Sequence, residues 1–327
     1  MDPLSHAAFG RTLVALGGRH RFGSGATIAA VLGALCPDLD LARAFQGWDV
    51  YLLHHQSGTH CLIGACGCGI LTGSVVGLFA RRTVGGWLAL AGAGTLGAMS
   101  HVALDWVSGA DLRLFAPLSD RVFTMPLFAM ADPWLLTALI IAAVLGSFAG
   151  KRRALAGLGV VALILSIKTA FYVRASEVER RTAGTAAAHV EAVFGSWSRW
   201  SEIQIRADTL ERWSVDAGQP RATLSAAVAR KLDLPLVVRS RALPTVANLL
   251  ASHDDTFARV VNAPGGGFEV RWSALRYCRV DRDGSEPVCG LWFGGEYDAG
   301  GRPVAAIMRI GTIVQRRAAG RAAANDQ

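Results

Sequence analysis

Glutamate is absent from the first 173 residues, and from Thr83 to Leu104 there is no charged side chain of either sign. Only 18% of the 327 residues are charged against 52% hydrophobic, and mean hydropathy is +0.34. So little charge excludes an ordinary soluble protein, and the length suits a membrane domain joined to a soluble one. The six cysteines lack zinc-finger spacing, which excludes a structural zinc site of that type. Cys36, Cys61, Cys66 and Cys68 lie in or beside apolar runs and read as small buried hydrophobes. Cys278 and Cys289 flank a hairpin and suit a bridge in an oxidising compartment. The opening Met-Asp-Pro lacks the basic flank, apolar core and small-residue cleavage site of a cleavable signal peptide. No internal repeat is found. The net charge of +8 and pI near 9.6 raise the question of nucleic acid. The cations are scattered arginines and short clusters beside apolar runs, however, so membrane topology accounts for them and no nucleic-acid partner is expected.

What is present is a succession of apolar segments. Residues 3–17 form a short helix, and Phe22 to Pro37 a second, the two making a thin or partly inserted hairpin. Cys61 to Ala80, Thr83 to Leu104, Pro133 to Gly150 and Ala154 to Val173 follow as spans, with an apolar, interfacial patch from Val122 to Ala131. The fold class expected is an α-helical polytopic membrane domain of about five to six apolar helices, followed by a small β-rich (α+β) soluble domain. The expected boundaries are 1–173 for the membrane domain, 174–235 for a helical or mixed connector, 236–315 for the β-rich domain and 316–327 for a disordered tail.

Counting spans gives the chain two dissimilar faces. All eight acidic residues of the first half (Asp2, Asp38, Asp40, Asp49, Asp105, Asp111, Asp120 and Asp132) fall on one face. Arg19, Arg21, Arg81, Arg82, Lys151, Arg152 and Arg153 fall on the other. Positive-inside bias puts the basic loops in the cytoplasm. The last span then delivers the C-terminal domain to the outer, aspartate face.

Five histidines share that face: His6, His54, His55, His60 and His101. Asp2 and His6 are four residues apart at the start of the first helix, and His101 and Asp105 are four apart at the end of the fourth. Such spacing puts each pair on one helix face. Pro37-Asp38-Leu39-Asp40 closes the second helix, and His55-Gln-Ser-Gly-Thr-His60 opens the third. Each piece alone has a plain structural reading as a helix stop or a polar loop. Together they form an imidazole and carboxylate set suited to zinc or manganese. With His54 they make nine candidates, more than one tetrahedral ion needs, which points to two or three metals sharing bridging aspartates. Asp40, His55 and Asp105 are the candidates for catalytic work, as general base or as the partner that fixes a ligand imidazole.

The order Asp2…His6…Gly10, PDLD (37–40), HxxxTH (55–60), HxxLD (101–105), Pro117-Leu-Ser119…Arg121 and Asp132-Pro133 resembles the YdjM-like family of bacterial inner-membrane metal-dependent hydrolases. The resemblance covers roughly residues 1–173, and Leu243-Pro244 with Val270 to Tyr277 looks like the tail domain of longer members. The family is distantly similar to zinc-dependent phospholipase C and single-strand nucleases. The resemblance therefore implies phosphoester hydrolysis, with lipid headgroups as one substrate class, at the bacterial inner membrane. It places metal ligands at Asp2, His6, Asp38, Asp40, His55, His60, His101 and Asp105. Members usually read His-Arg-Gly-x-Thr-His where this chain has His55-Gln-Ser-Gly-Thr-His60, and the polar Asn-x-Tyr-Gly segment is here Ser108-Gly-Ala-Asp111. An anion-binding arginine is thus missing, and Arg113 and Arg121 remain as the cations that would clamp a phosphate. The alternative expectation is a non-enzymatic membrane regulator or scaffold with a structural metal and a partner-binding C-terminal domain. Some members are associated with a cytoplasmic DNA-damage repressor, a contact that the topology above forbids. Transport fits less well, because the ionisable groups gather at one face rather than across the midplane.

Overall fold

The computed structural model describes residues 1–16, 23–80, 84–182, 187–263, 266–280 and 286–318. The basic turns at Arg19, His20 and Arg21 and at Arg81 and Arg82, the turn at 281–285 and the tail from 319 lie outside the described residues.

Helix α1 (Pro3–Ala15) starts at Asp2, whose carboxylate accepts from the Ser5 backbone N–H, with Pro3 in the first helical position. Helix α2 (Ser24–Leu35) ends two residues before Pro37, which has no backbone N–H to continue the helical hydrogen bonds, although Cys36 between them keeps helical dihedrals. A nine-residue 3-10 turn, Pro37–Phe45, continues at an angle of 49°. Then come α3 (Trp48–His54), a short 3-10 turn at Gly58–His60, α4 (Leu62–Phe79) and α5 (Val84–Val107). The helical stretch Pro133–Thr182 doubles back on itself. A Cβ on Gly157 would lie 2.7 Å from Ala142 Cα, whereas fifteen residues of straight helix would separate them by about 22 Å. Its two arms are α6 (Pro133–Gly146) and α7 (Lys151–Arg181).

Three of these helices are long and apolar enough to cross a membrane: α4, the Gly85–Val107 part of α5, and α7. The bent pair α2 plus Pro37–Phe45 makes up to four. This corrects the expected five to six. At 1.5 Å per residue the 13 residues of α1 and the 12 of α2 reach only about 20 Å and 18 Å, short of a hydrocarbon core of about 30 Å. Without a hydrophobic drive between helices in lipid, close packing of small residues brings them together. A Cβ on Gly69 of α4 would lie 2.2 Å from Thr95 Cα, and one on Gly73 would lie 2.4 Å from Ala91 Cα, so backbone meets backbone along the α4–α5 seam. The 122–131 stretch is not uniformly interfacial: Leu127 and Phe128 are buried beneath the loop with Leu104, Leu135 and Leu139.

The C-terminal part is β-rich and begins earlier than 236. Within the stretch expected as a connector, β1 (Ala187–Ala192), β2 (Arg199–Ile205), β3 (Thr209–Asp216) and β4 (Thr223–Ala229) form an antiparallel sheet in that order. Two short helices follow, α8 (Pro235–Ser240) and α9 (Pro244–Ser252). A five-stranded antiparallel sheet has the order β11-β10-β9-β6-β5, built from β5 (Thr256–Asn262), β6 (Phe268–Ala274), β9 (Leu291–Tyr297), β10 (Pro303–Ile310) and β11 (Ile313–Ala318). Between β6 and β9, the pair β7 (Cys278–Arg279) and β8 (Val288–Cys289) carries the disulfide Cys278–Cys289. Val246 and Leu249 of α9 bury against Val270, Trp272, Phe293 and Met308 of the larger sheet.

This part docks on the end of the helices that carries the aspartates. Trp200 Nε1 donates to the Pro126 carbonyl at 2.7 Å, Lys168 Nζ to the Ser196 carbonyl at 2.7 Å, and Trp134 Nε1 to the Gly195 carbonyl at 3.0 Å. Ala175 and Val178 near the end of α7 share a core with Trp200 and Val215.

Candidate metal centre

The last turns of α5 bring an imidazole and a carboxylate onto one face, with His101 Nε2 3.2 Å from Asp105 Oδ2. Both side chains are buried. The α2 C-terminus leaves its final carbonyls without helical partners, and His101 Nδ1 donates to one of them, Ala34, at 2.7 Å. That bond fixes the tautomer and leaves the Nε2 lone pair facing inward, the arrangement that outer hydrogen bonds impose on metal-binding histidines. Past the bend, the Pro37–Phe45 turn presents Asp38, with Oδ1 3.5 Å from His101 Nε2 and 3.4 Å from His60 Nε2. His60 ends the Gly58–His60 turn with Nε2 3.1 Å from His101 Nε2 and 3.4 Å from Asp105 Oδ2.

Of the six separations among these two imidazole nitrogens and two carboxylate oxygens, the five that involve an imidazole are 3.1–3.5 Å. A tetrahedron with edges near 3.3 Å has its centre about 2.0 Å from each corner, which is the zinc to nitrogen or oxygen distance. The imidazole nitrogens are therefore spaced from each other and from both carboxylates as a small divalent cation requires. Asp40, His55 and His60 form an adjoining group. His55 Nδ1 lies 3.1 and 3.0 Å from the two Asp40 oxygens, and His60 Nδ1 is 3.7 Å from Asp40 Oδ2. His60 consequently stands between the two groups, one ring nitrogen toward each. No cysteine belongs to either group among the described residues. Cys61 instead caps α4, its sulfur accepting from the Gly64 N–H at 3.3 Å.

His6 is fully buried and stacks on His101 with ring centroids 3.7 Å apart. Its Nε2 is 3.3 Å from Asp105 Oδ1, yet neither ring nitrogen makes a hydrogen bond. An orphaned buried imidazole beside a carboxylate is a further sign that the cluster is built around a cation. The Met1 amino group also contacts Asp105.

Of the residues expected from sequence, Asp38, Asp40, His55, His60, His101 and Asp105 are brought together, with His6 against them. Asp2 is not. Its Oδ1 accepts from Ser5 N–H at 3.0 Å and its Oδ2 from the Ser5 hydroxyl at 2.6 Å, so it works as a helix cap. Arg113 and Arg121 are exposed, and Arg121 stands over the Phe123 ring at 5.2 Å. The Leu114 carbonyl accepts from Leu62 N–H at 3.0 Å, which ties the Arg113 loop to the chain just after His60.

Two contributors had no sequence signal. Tyr51 stacks on His55 at 4.6 Å, and burial together with the Asp40 and Asp38 carboxylates raises its hydroxyl above the usual phenol range, holding it protonated. The Ala34 carbonyl, the partner of His101, is a backbone atom that no residue identity announces.

A family model described as YdjM inner membrane protein matches residues 1–176. No curated protein and no solved structure matches the chain.

Proposed function

The chain belongs to the YdjM inner membrane protein family, and from that premise we propose that it is a membrane-bound, metal-dependent hydrolase of phosphoester bonds, with a phospholipid-like substrate. The observation that carries the reading is the Asp38–His60–His101–Asp105 group, in which the imidazole nitrogens lie 3.1–3.5 Å from each other and from both carboxylates, as in one cation's coordination shell. Zinc suits the imidazole and carboxylate donors best, and the adjoining Asp40–His55–His60 group has room for a second ion. When bound, such a cation supplies Lewis acidity and a water acidified toward neutral pH.

The remaining roles belong to the protein. His101 is oriented by the Ala34 carbonyl, so its Nε2 is committed before any ligand arrives. Asp40 and His55, joined at 3.0 Å, are donors to that second ion together with His60, and where it is absent they form a proton acceptor, the carboxylate holding the imidazole ready to take a proton at the other ring nitrogen. The protonated Tyr51 hydroxyl is a donor toward a phosphate oxygen. Arg113 and Arg121, in the loop tied to Leu62, are the cations for the substrate's charge. On the Pro37–Phe45 turn, Leu39, Leu41 and Phe45 are exposed beside the ligand aspartates, which seats the mouth of the site among lipid headgroups. The positive-inside bias of the flanking Lys and Arg supports an extracytoplasmic aspartate face and C-terminal part, a compartment that suits the Cys278–Cys289 disulfide.

One observation favours a second reading. Four protein donors without an open position is the pattern of a structural zinc site, which fits a regulator or scaffold whose C-terminal part binds a partner. The test separates the two. Metal analysis of the purified full chain is expected to give at least one zinc-like ion per chain, lost in the His101→Ala/Asp105→Ala double variant. Turnover of a phosphodiester, phosphomonoester or lipid substrate that disappears in the same variant establishes the hydrolase. Bound metal with no turnover on any of the three leaves the scaffold, and a metal-free parent refutes both.

A further inference from the structure

The two faces of α3 belong to different parts of the molecule. Trp48 and Leu52, four residues apart, pack against the C-terminal core that includes Val246 and Leu249 of α9. On the adjoining face, Tyr51 and His55 are also four apart and stack with centroids 4.6 Å apart. Asp49 is buried, and its Oδ2 accepts from Asn248 Nδ2 of α9 at 2.9 Å. Arg317 of β11 donates to the Gln46 carbonyl just ahead of the helix. Gly47, at φ 149°, holds a backbone conformation that side-chain-bearing residues rarely adopt, and it lies close to Asp49 and Arg317. From this clamp a line of touching rings runs inward. Trp48 meets Tyr51 at 5.6 Å, Tyr51 meets His55 at 4.6 Å, His55 meets His60 at 5.2 Å and His60 meets His101 at 5.0 Å.

The His55 ring meets the Asp40 carboxylate at 3.0 Å, but its backbone depends on α3. It sits at the end of a seven-residue helix, too short to be stable alone, and precedes a loop with Gln56 at φ 63°. We propose that the C-terminal part is a working part of the metal centre: by gripping α3 through Asn248 and the α9 core it positions His55, and the Asp40–His55–His60 group takes up its cation only in that position. Asn248 and Leu52 are thus positioning residues for a divalent cation that they do not touch. The inference rests on the metal reading above.

The test is zinc titration of the chelator-stripped full chain in detergent, read against a chromophoric competitor, so that stoichiometry and stepwise affinity are obtained without any substrate. The parent is expected to bind two ions. His55→Ala should abolish the second event. Asn248→Ala and Leu52→Ala should each weaken it by about ten-fold or more, the range for losing an outer support of a ligand, while the first event stays put. Exchanging donor and acceptor in the Asp49→Asn/Asn248→Asp pair should restore the second event, which general loosening of the fold would not do. Parental binding of both ions in Asn248→Ala and Leu52→Ala overturns the inference. So does a parent that binds one ion, insensitive to His55→Ala, an outcome that leaves the four-donor site standing. A parent that binds no ion removes the proposed function itself.

Discussion

An imidazole shut away from water is cheap to keep only while it is neutral, and His253 pays that constraint in the C-terminal part. Its Nε2 meets the Tyr277 hydroxyl at 2.8 Å and its Nδ1 meets Ser252 Oγ at 2.8 Å. Burial, then the nearby Arg276 guanidinium, depress it to about 4, against a partial opposing pull from Asp255. Tyr277 is pushed up to about 12, chiefly by burial, so it remains a hydroxyl throughout the physiological range. The sign for stability follows from proton counting. Below about pH 6.5 the unfolded chain takes up a proton that the folded chain refuses until about pH 4, so stability is full above that window and falls through it. The loss reaches about 3 kcal/mol at the lower end, at about 1.4 kcal/mol for each step of one in pH across that window. Thermal unfolding of the full chain between pH 7 and pH 4.5 should show a falling midpoint, with a shallower slope in His253→Gln. An identical slope in the variant would assign the acid sensitivity elsewhere. The same dependence on surroundings separates Asp2 from Asp38. Both carry the same carboxylate beside a proline, but Asp2 is spent on Ser5 while Asp38 has two imidazole nitrogens within 3.5 Å.

At the scale of elements, the α4–α5 seam decides whether His60 and His101 meet at all, since each sits at the aspartate end of one of the two helices. Gly69 has no room for a Cβ against Thr95, whereas one on Gly67, two residues earlier on the same helix, would meet nothing within 4 Å. Gly69→Leu should therefore lower the unfolding midpoint and the yield of membrane-inserted protein by more than the 1–3 kcal/mol typical of an overpacked core, because the clash is with backbone. Gly67→Leu should be close to neutral, and equal behaviour of the pair would show that the seam is not tight. The pairs that sequence disclosed are those whose geometry is local. His101 and Asp105 are one helical turn apart, and Pro37 with Asp38 and Asp40 announces both a break and its ligands. Apolar length was less informative, because α1 is too short to span and α2 passes as a span only together with the bent Pro37–Phe45 turn. The sheet from Ala187 to Ala229 was obscured because its two central strands are charge-rich: Glu211 pairs with Arg206 of the intervening turn, and Arg212 donates to the Cys278 carbonyl of the β7–β8 pair. The grip of Asn248 on Asp49 spans 199 residues and could not have been read from either neighbourhood.

Over the whole molecule, what keeps the C-terminal part on the aspartate face is a small number of buried polar ties, and Lys168 is the one with the most at stake. It leaves α7 fully buried, donates to the Ser196 carbonyl at 2.7 Å, and lies 5.4 Å from the Phe128 ring and 5.3 Å from the Trp200 ring. Asp132, also buried, is 4.0 Å away and caps α6 by accepting from Trp134 and Leu135 N–H. A cation held between aromatic faces and a carboxylate is retained because the second carboxylate oxygen, Asp132 Oδ2, is buried without a hydrogen-bond donor. Lys168→Met keeps the length and apolar stem of the side chain but strands the Asp132 charge and empties the Ser196 carbonyl. Breaking one partner from such a pair typically costs about 3–5 kcal/mol, and here the cost falls on docking rather than on either part's own core. The variant should consequently show loosened docking as faster proteolytic separation of the C-terminal part from the helices, while the Cys278–Cys289 disulfide and the strand signal in circular dichroism persist. Lys168→Met/Asp132→Asn, which removes the stranded charge as well, should recover most of the protection. Cleavage at the parental rate in the single variant would mean that Trp200, Trp134 and α3 hold the two parts together unaided, and the buried pair would then be a feature of the helices alone.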